Sequence, residues 1–271
     1  MSIIFSASPE PLPFRHANTV THAIVLCDHA LSSNWKAELS TTAARFERQL
    51  GLLSRRGYRG VTFSAAVAAP AERVVAVTFD DAYRSVLDLA RPILDRFGWP
   101  GTVFAPTSGI DAGALSWDGI DRWQGTAHAH ELTPMSWQEL GALAASGWEI
   151  GSHTATHPHL TRIDDAALDE ELTSSKARCE EALSQPCVSL AYPYGDVDAR
   201  VVAAAARAGY RTAASLPRQL GSRDALDWPR IGVYHADDDR RFQLKVSPLV
   251  RQLRRLPITS VLQPALRSGA A

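Results

Sequence analysis

The chain has 271 residues, enough to bury one large core. Its 45% hydrophobic and 21% charged residues are ordinary for a globular protein, and no apolar run approaches membrane-spanning length. A formal net charge of −1 gives no global reason to expect nucleic acid, and Cys27, Cys179 and Cys187, odd in number and without close metal spacing, read as reduced thiols. The opening MSIIFSASPEPLPFRHAN has no basic segment followed by a continuous apolar run, so neither a signal peptide nor a location outside the cytoplasm is expected.

In chain order, Ala23–Cys27 is a short apolar strand ending at Asp28-His29. His29 is a candidate to line a site, with a strand-end histidine satisfied by backbone as the equal alternative. Cys27 reads as buried filler. Ala43–Arg55 places Phe46, Leu50 and Leu53 at helical spacing and stops before Gly57, and Val61–Phe63 is a short strand. Val74, Val75, Ala76 and Val77 then form the pattern of a strand buried on both faces, and the run stops on Asp80 and Asp81. Ser85–Phe97 is helical, with Pro92 kinking it or starting a new turn and Gly98 ending it. Thr102–Ala105 is the next strand.

Thr107–Pro134 shows no periodicity and holds Trp117, Trp123, His128 and His130; a loop this long is usually functional or disordered. The two histidines read as solvent-exposed. Ser136-Trp137-Gln138-Glu139 is a capping box whose helix runs to Ala145, and Trp148–Ile150 is a strand leading into Gly151-Ser152-His153-Thr154-Ala155-Thr156-His157. Asp165–Leu183 is an amphipathic helix with Leu168, Leu172, Cys179 and Leu183 inward. Strand Val188–Tyr192 ends at Pro193-Tyr194-Gly195, helix Ala199–Ala208 and strand Arg211–Ser215 follow, and Ile231–Tyr234 is a last strand ending at His235. Such alternation argues for a parallel sheet with covering helices. His29, Asp80, Asp81, His153, Tyr194 and His235 all fall just beyond strand ends, the rim where barrels of parallel strands build active sites.

Two adjacent carboxylates at the end of a buried strand are costly unless a cation or a proton transfer uses the charge. Neighbouring side chains on extended backbone diverge, so one acid can face a metal and the other a reacting group. Histidines four apart sit on one face of a helical turn and can share a cation. Two imidazoles and one carboxylate leave coordination positions open for water, as in catalytic rather than structural metal sites.

Taken together, Thr78–Asp81 (T-F-D-D), His153–His157 (H-T-x-x-H) and Ala191–Asp196 (A-Y-P-Y-G-D) resemble, in order and interval, the signatures of the NodB-homology polysaccharide deacetylases, carbohydrate esterase family 4. The resemblance covers roughly residues 23–234. It implies a distorted seven-stranded (β/α) barrel over 23–238, preceded by an extension, 1–22, and followed by a basic tail, 239–271. It also implies a hydrolase that removes N-acetyl groups from an amino sugar. By the same resemblance Asp81, His153 and His157 hold a divalent metal, zinc in the first place, with cobalt, nickel or manganese also admitted by the ligand set. Asp80 is then the general base, and the Tyr194 backbone N–H helps hold the oxyanion. Trp117 and Trp123 become candidate walls of a sugar groove, with rim cover as the alternative.

Three departures stand out. Many relatives carry Tyr-His where this chain has Asp28-His29. The family often has an arginine before its P-Y-G segment, orienting the base, where Ser189-Leu190-Ala191 precede Tyr192; Arg230 is a candidate to supply that charge. The family's late Leu-x-His, which carries the general acid, has a loose counterpart in Val233-Tyr234-His235, so His235 is the expected acid. A deacetylase for a non-sugar small molecule and a sugar-binding pseudoenzyme remain open alternatives. From Arg240 to Ala271 there are seven basic residues and no acidic ones, the composition of a solvated helix or of a segment drawn to an anionic membrane surface.

Overall fold

The computed structural model describes residues 22–217, 220 and 224–254. The expected N-terminal extension, apart from residue 22, and the tail beyond residue 254 lie outside them. In chain order the strands are Ile24–Asp28 (β1), Ala30–Leu31 (β2), Ser40–Thr41 (β3), Arg59–Val61 (β4), Val74–Phe79 (β5), Thr102–Ala105 (β6), Glu149–Ser152 (β7), Ser189–Ala191 (β8), Thr212–Ser215 (β9), Trp228–Pro229 (β10) and Ile231–Gly232 (β11). The helices are Ala43–Arg55 (α1), Phe63–Ala68 (α2), Arg91–Phe97 (α3), Thr107–Ala112 (α4), Trp137–Ala145 (α5), Asp165–Leu183 (α6), Ala199–Arg207 (α7), Asp239–Lys245 (α8) and Pro248–Leu253 (α9).

The main sheet runs β10-β9-β8-β7-β6-β5-β1-β11, and every pairing in it is parallel. Only Arg230 separates β10 from β11, so one bent segment pairs with β9 on one side and β1 on the other, making a nearly closed barrel. β4 pairs in parallel with the start of β5 off this path, and counting the β10–β11 segment once leaves seven staves along it, the distorted (β/α) barrel expected. All six residues of β5 are buried, each large one gaining roughly 1.5–3 kcal/mol from burial.

Alternation along β1 sorts two cores. Ile24 and Leu26 face outward and join Phe46, Leu50 and Leu53 of α1. Ala23 and Val25 face the barrel interior, where they meet Phe63, Ala66 and Val67 of α2. The sequence reads a strand at Val61–Phe63; the strand instead ends at Val61, and Phe63 opens a helix that fills the barrel. That helix is held by Glu149, which accepts from Ser64 N and Ser64 Oγ at 2.9 and 2.5 Å.

The capping box at Ser136–Glu139 forms as read. Residues 86–90 make a π-helical turn before α3, with Pro92 in its first turn. The segment assigned to the basic tail begins with α8 and α9, and these pack on the barrel: Phe242 and Val246 belong to the main core, and buried Arg251 donates to Ala23 O at 2.7 Å. Among the described residues no helix is long and apolar enough to cross a membrane.

Candidate active site

Because the staves are parallel, the residues following β1, β5, β7 and β8 gather at one rim. A cavity of about 410 Å³ opens there, lined among others by His29, Asp80, Asp81, His153, His157 and Tyr194.

The turn after β5 is strained. Asp81 and Ala82 have φ of 68° and 56°, a left-handed region that L-residues enter at a cost of about 1–3 kcal/mol each. Thr154 and His157 (φ 67° and 63°) and Tyr194 (φ 59°) share it. Five of the six non-glycine residues of this kind among the described residues therefore belong to the site; the sixth, Ser184, ends α6. Cross-links hold the strain: Met135 N donates to Ala82 O at 2.8 Å, and His157 N donates to Thr154 Oγ1 at 3.1 Å.

The histidines do not sit on a helical turn. β7 stops at Ser152, and an irregular loop with two left-handed residues brings the imidazoles together, ring centroids 4.8 Å apart. The clamp on this loop is Glu171 of α6, absent from the sequence reading. One of its oxygens accepts from Ala155 N and Thr156 N, each at 2.9 Å, and the other accepts from Thr156 Oγ1 at 2.5 Å. Its signal was available: Glu171 lies three residues after Leu168 and four before Ser175, at the edge of the buried stripe of α6.

Asp81 Oδ1 lies 3.5 Å from Nε2 of both His153 and His157. This oxygen is buried and has no hydrogen-bond partner. Burial, and then the neighbouring Asp80 carboxylate, push the Asp81 pKa well above the carboxylate range. Burial lowers the pKa of both histidines, which favours the neutral imidazole, the ligating form. His153 Nδ1 donates to Ala191 O at 2.8 Å, which turns Nε2 toward Asp81. A divalent cation among these three atoms would satisfy the orphaned oxygen, so the residues fit the metal that the sequence implies.

Asp80 faces a different partner. Arg230 NH1 and NH2 donate to its two oxygens at 2.6 and 2.8 Å, with both residues buried. Burial alone would raise the Asp80 pKa, but Arg230 and then His153 hold it well below the usual range, so the carboxylate stays ionised. Arg230 thus takes the place for which it was a candidate. It reaches inward from the break between β10 and β11, and NH1 also donates to Thr78 Oγ1 at 3.1 Å.

The expected acid, His235, is not among the cavity-lining residues, whereas His29 and Tyr234 are. Register pairing of the last stave ends at Gly232, and His235 lies three residues beyond it. His235 N donates to Glu38 O at 2.8 Å, and its ring meets Ser40 Oγ at 3.5 Å. His29 instead presents a ring with a buried, unpartnered Nδ1, and burial lowers its pKa to about 4.

Tyr194 sits in the tight turn Pro193–Gly195. A Cβ on Gly195 would come within 2.6 Å of Leu216 Cβ, and its φ of +66° also favours glycine. His159 stacks on the Tyr194 ring at 3.9 Å and bonds Asp196. Trp117 stacks on His157 at 4.2 Å, and Trp123 meets Trp35 edge-on; all three tryptophans line the cavity. His130 is exposed, while His128 is half-buried against Trp123.

A sequence profile described as Polysaccharide deacetylase matches residues 68–213. The chain is 26% identical over 206 residues to YxkH of Bacillus subtilis (strain 168), covering 74% of this chain and 66% of that protein. It is 38% identical over 95 residues to a chitooligosaccharide deacetylase of Bradyrhizobium sp. (strain ANU 289), covering 34% of this chain and 39% of that one. The matches thus span two thirds or less of these relatives' own lengths. Among solved structures, the Streptococcus pyogenes deacetylase PplD in complex with acetate superposes with a TM-score of 0.71 at 21% identity, covering 85% of this chain and all of that one. That likeness is one of fold.

Proposed function

The chain belongs to the polysaccharide deacetylase family, and from that premise we propose that it hydrolyses the N-acetyl group of an amino sugar with the help of a divalent metal. One observation carries the reading: buried Asp81 Oδ1, without a hydrogen-bond partner, lies at equal distance from two imidazoles, beside a second aspartate held by an arginine. That pairing separates the jobs of holding a cation and moving a proton.

Asp81, His153 and His157 would hold the ion, zinc in the first place. When bound, it supplies Lewis acidity, polarising the amide carbonyl and acidifying a water. Asp80, ionised and fixed in orientation by Arg230, accepts the water's proton, a contribution of about 10²–10⁴-fold. The backbone N–H of Tyr194, in its left-handed turn, donates to the oxyanion. His29, which lines the cavity and starts as a neutral imidazole, takes up the proton that Asp80 has accepted and hands it to the departing nitrogen in place of His235. Trp117 and Trp123 offer flat apolar faces to a sugar ring.

An N-acetylated sugar as substrate is supported by the names of its relatives, which include chitooligosaccharide and poly-β-1,6-N-acetyl-D-glucosamine deacetylases. Contact of the basic tail with an anionic membrane would suit a lipid-linked glycan as substrate. Leu244, Leu249 and Leu253 are exposed beside its basic residues, and co-sedimentation with anionic against neutral vesicles decides that point. The reading as a whole is tested by acetate release from metal-loaded protein on N-acetylglucosamine oligomers, nucleotide sugars and simple acetamides. Release from the oligomers supports it, and release from acetamides alone overturns the sugar assignment.

A further inference from the structure

A second set of ligand-type side chains adjoins the first. β1 and β5 lie side by side, Cys27 opposite Thr78 and Asp28 opposite Phe79, and Asp80 N donates to Asp28 O at 3.1 Å. The two-residue alternation of a strand turns Cys27 and His29 to the face that Asp80 occupies. Cys27 Sγ donates to Asp80 Oδ2 at 3.4 Å. One ligand atom each from Cys27, His29 and Asp80 lies within 4.8 Å of the others. His29 Nδ1 is buried without a partner. Sulfur, imidazole and carboxylate together make a softer set than the trio of Asp81, His153 and His157.

We propose that Cys27, His29 and Asp80 form a second, inhibitory cation site for a thiophilic divalent ion such as Cd²⁺, or zinc in excess. On binding, the Cys27 thiol releases its proton to solvent as the Sγ–cation bond forms, and no electrons are transferred. Asp80 Oδ2 loses the thiol's hydrogen bond and keeps that of Arg230 NH2 at 2.8 Å. The nearby guanidinium opposes a cation, so this site fills only after the first. Cys27 is itself buried, and the ion enters through the cavity that His29 and Asp80 line. The inhibitory consequence rests on the roles given above to Asp80 and His29, both of which the ion would occupy; the binding itself does not.

The test compares the wild type with Cys27→Ala and with Cys27→Ser, the latter retaining size. Each is titrated with Cd²⁺, read by equilibrium dialysis and by thiolate-to-cadmium charge-transfer absorption, after thermal unfolding has confirmed the fold. Cys179 and Cys187 are present in all three proteins, so differences report Cys27. The variants are expected to bind one equivalent fewer and to lose the corresponding absorption. With a deacetylation substrate, excess Cd²⁺ is expected to slow the wild type about tenfold or more relative to its own rate, and each variant far less. Equal uptake and equal absorption in all three proteins would overturn the site. A lost equivalent with undiminished inhibition would overturn the inhibitory role. Should no substrate be turned over, the binding arm still decides the site, and it is the deacetylase reading that fails.

Discussion

Arg230 closes a bidentate ion pair on Asp80 at 2.6 and 2.8 Å across 150 residues of sequence, from the one-residue break in the stave that completes the barrel. The residue that ties the barrel shut therefore also orients the carboxylate proposed to move the proton.

Removing one partner of a buried pair strands the other, at a cost of about 3–5 kcal/mol. Arg230→Met is expected to lose that much stability in urea unfolding, together with most of kcat. Arg230→Lys restores charge without the planar fork, so it is expected to recover stability more than kcat.

Glu171 touches neither imidazole of the proposed metal site and holds the loop that bears both. Glu171→Gln replaces an acceptor with an amide N–H₂ facing Ala155 N–H or Thr156. Metal affinity, measured by competition with a chelator, is expected to fall about 10–100-fold, with little change in unfolding.

His29 and His235 can be told apart by kinetics. His29→Ala is expected to lower kcat by about 10²–10⁴-fold, as loss of a proton donor does. His235→Ala, altered outside the cavity, is expected to retain most activity. Matching steady-state measurements on the two variants check the assignment.

Asp28 gives a pH signature in stability. Its carboxyl is buried with neither oxygen hydrogen-bonded, and its pKa is raised to about 8, by burial first and by Asp237 next, against the pull of Lys245 and with a smaller push from Asp80. Between about pH 4 and pH 8 the folded chain keeps a proton that the unfolded chain has released. The contribution is thus fully present below the unfolded pKa and lost as pH rises through the folded one, with a slope of about 1.4 kcal/mol per pH unit. Asp28→Asn is expected to flatten that slope in urea unfolding followed across the range.

The rim was legible where a buried strand announced it. The apolar run of β5 placed Asp80 and Asp81, and short apolar runs placed His29, His153 and Tyr194 at strand ends. What escaped was whatever tertiary contacts impose. Spacing of four suggested a helical turn for His153 and His157, yet Thr154 and His157 take left-handed backbone that only Glu171 and neighbouring cross-links sustain. β10 and β11 have two residues each, too short for periodicity, so the last strand was read through Tyr234 and His235 was carried into the site. Nothing local in the sequence ties Arg230 to Asp80; barrel closure does.

The division of labour between the two aspartates is tested most directly by measuring metal content and acetate release on Asp80→Asn and Asp81→Asn side by side. Asp81→Asn is expected to lose metal and activity together. Asp80→Asn is expected to keep about one metal per chain and lose roughly 10²–10⁴-fold in turnover, with substrate affinity little changed. Near-normal acetate release by Asp80→Asn, or full metal occupancy in Asp81→Asn, would contradict it.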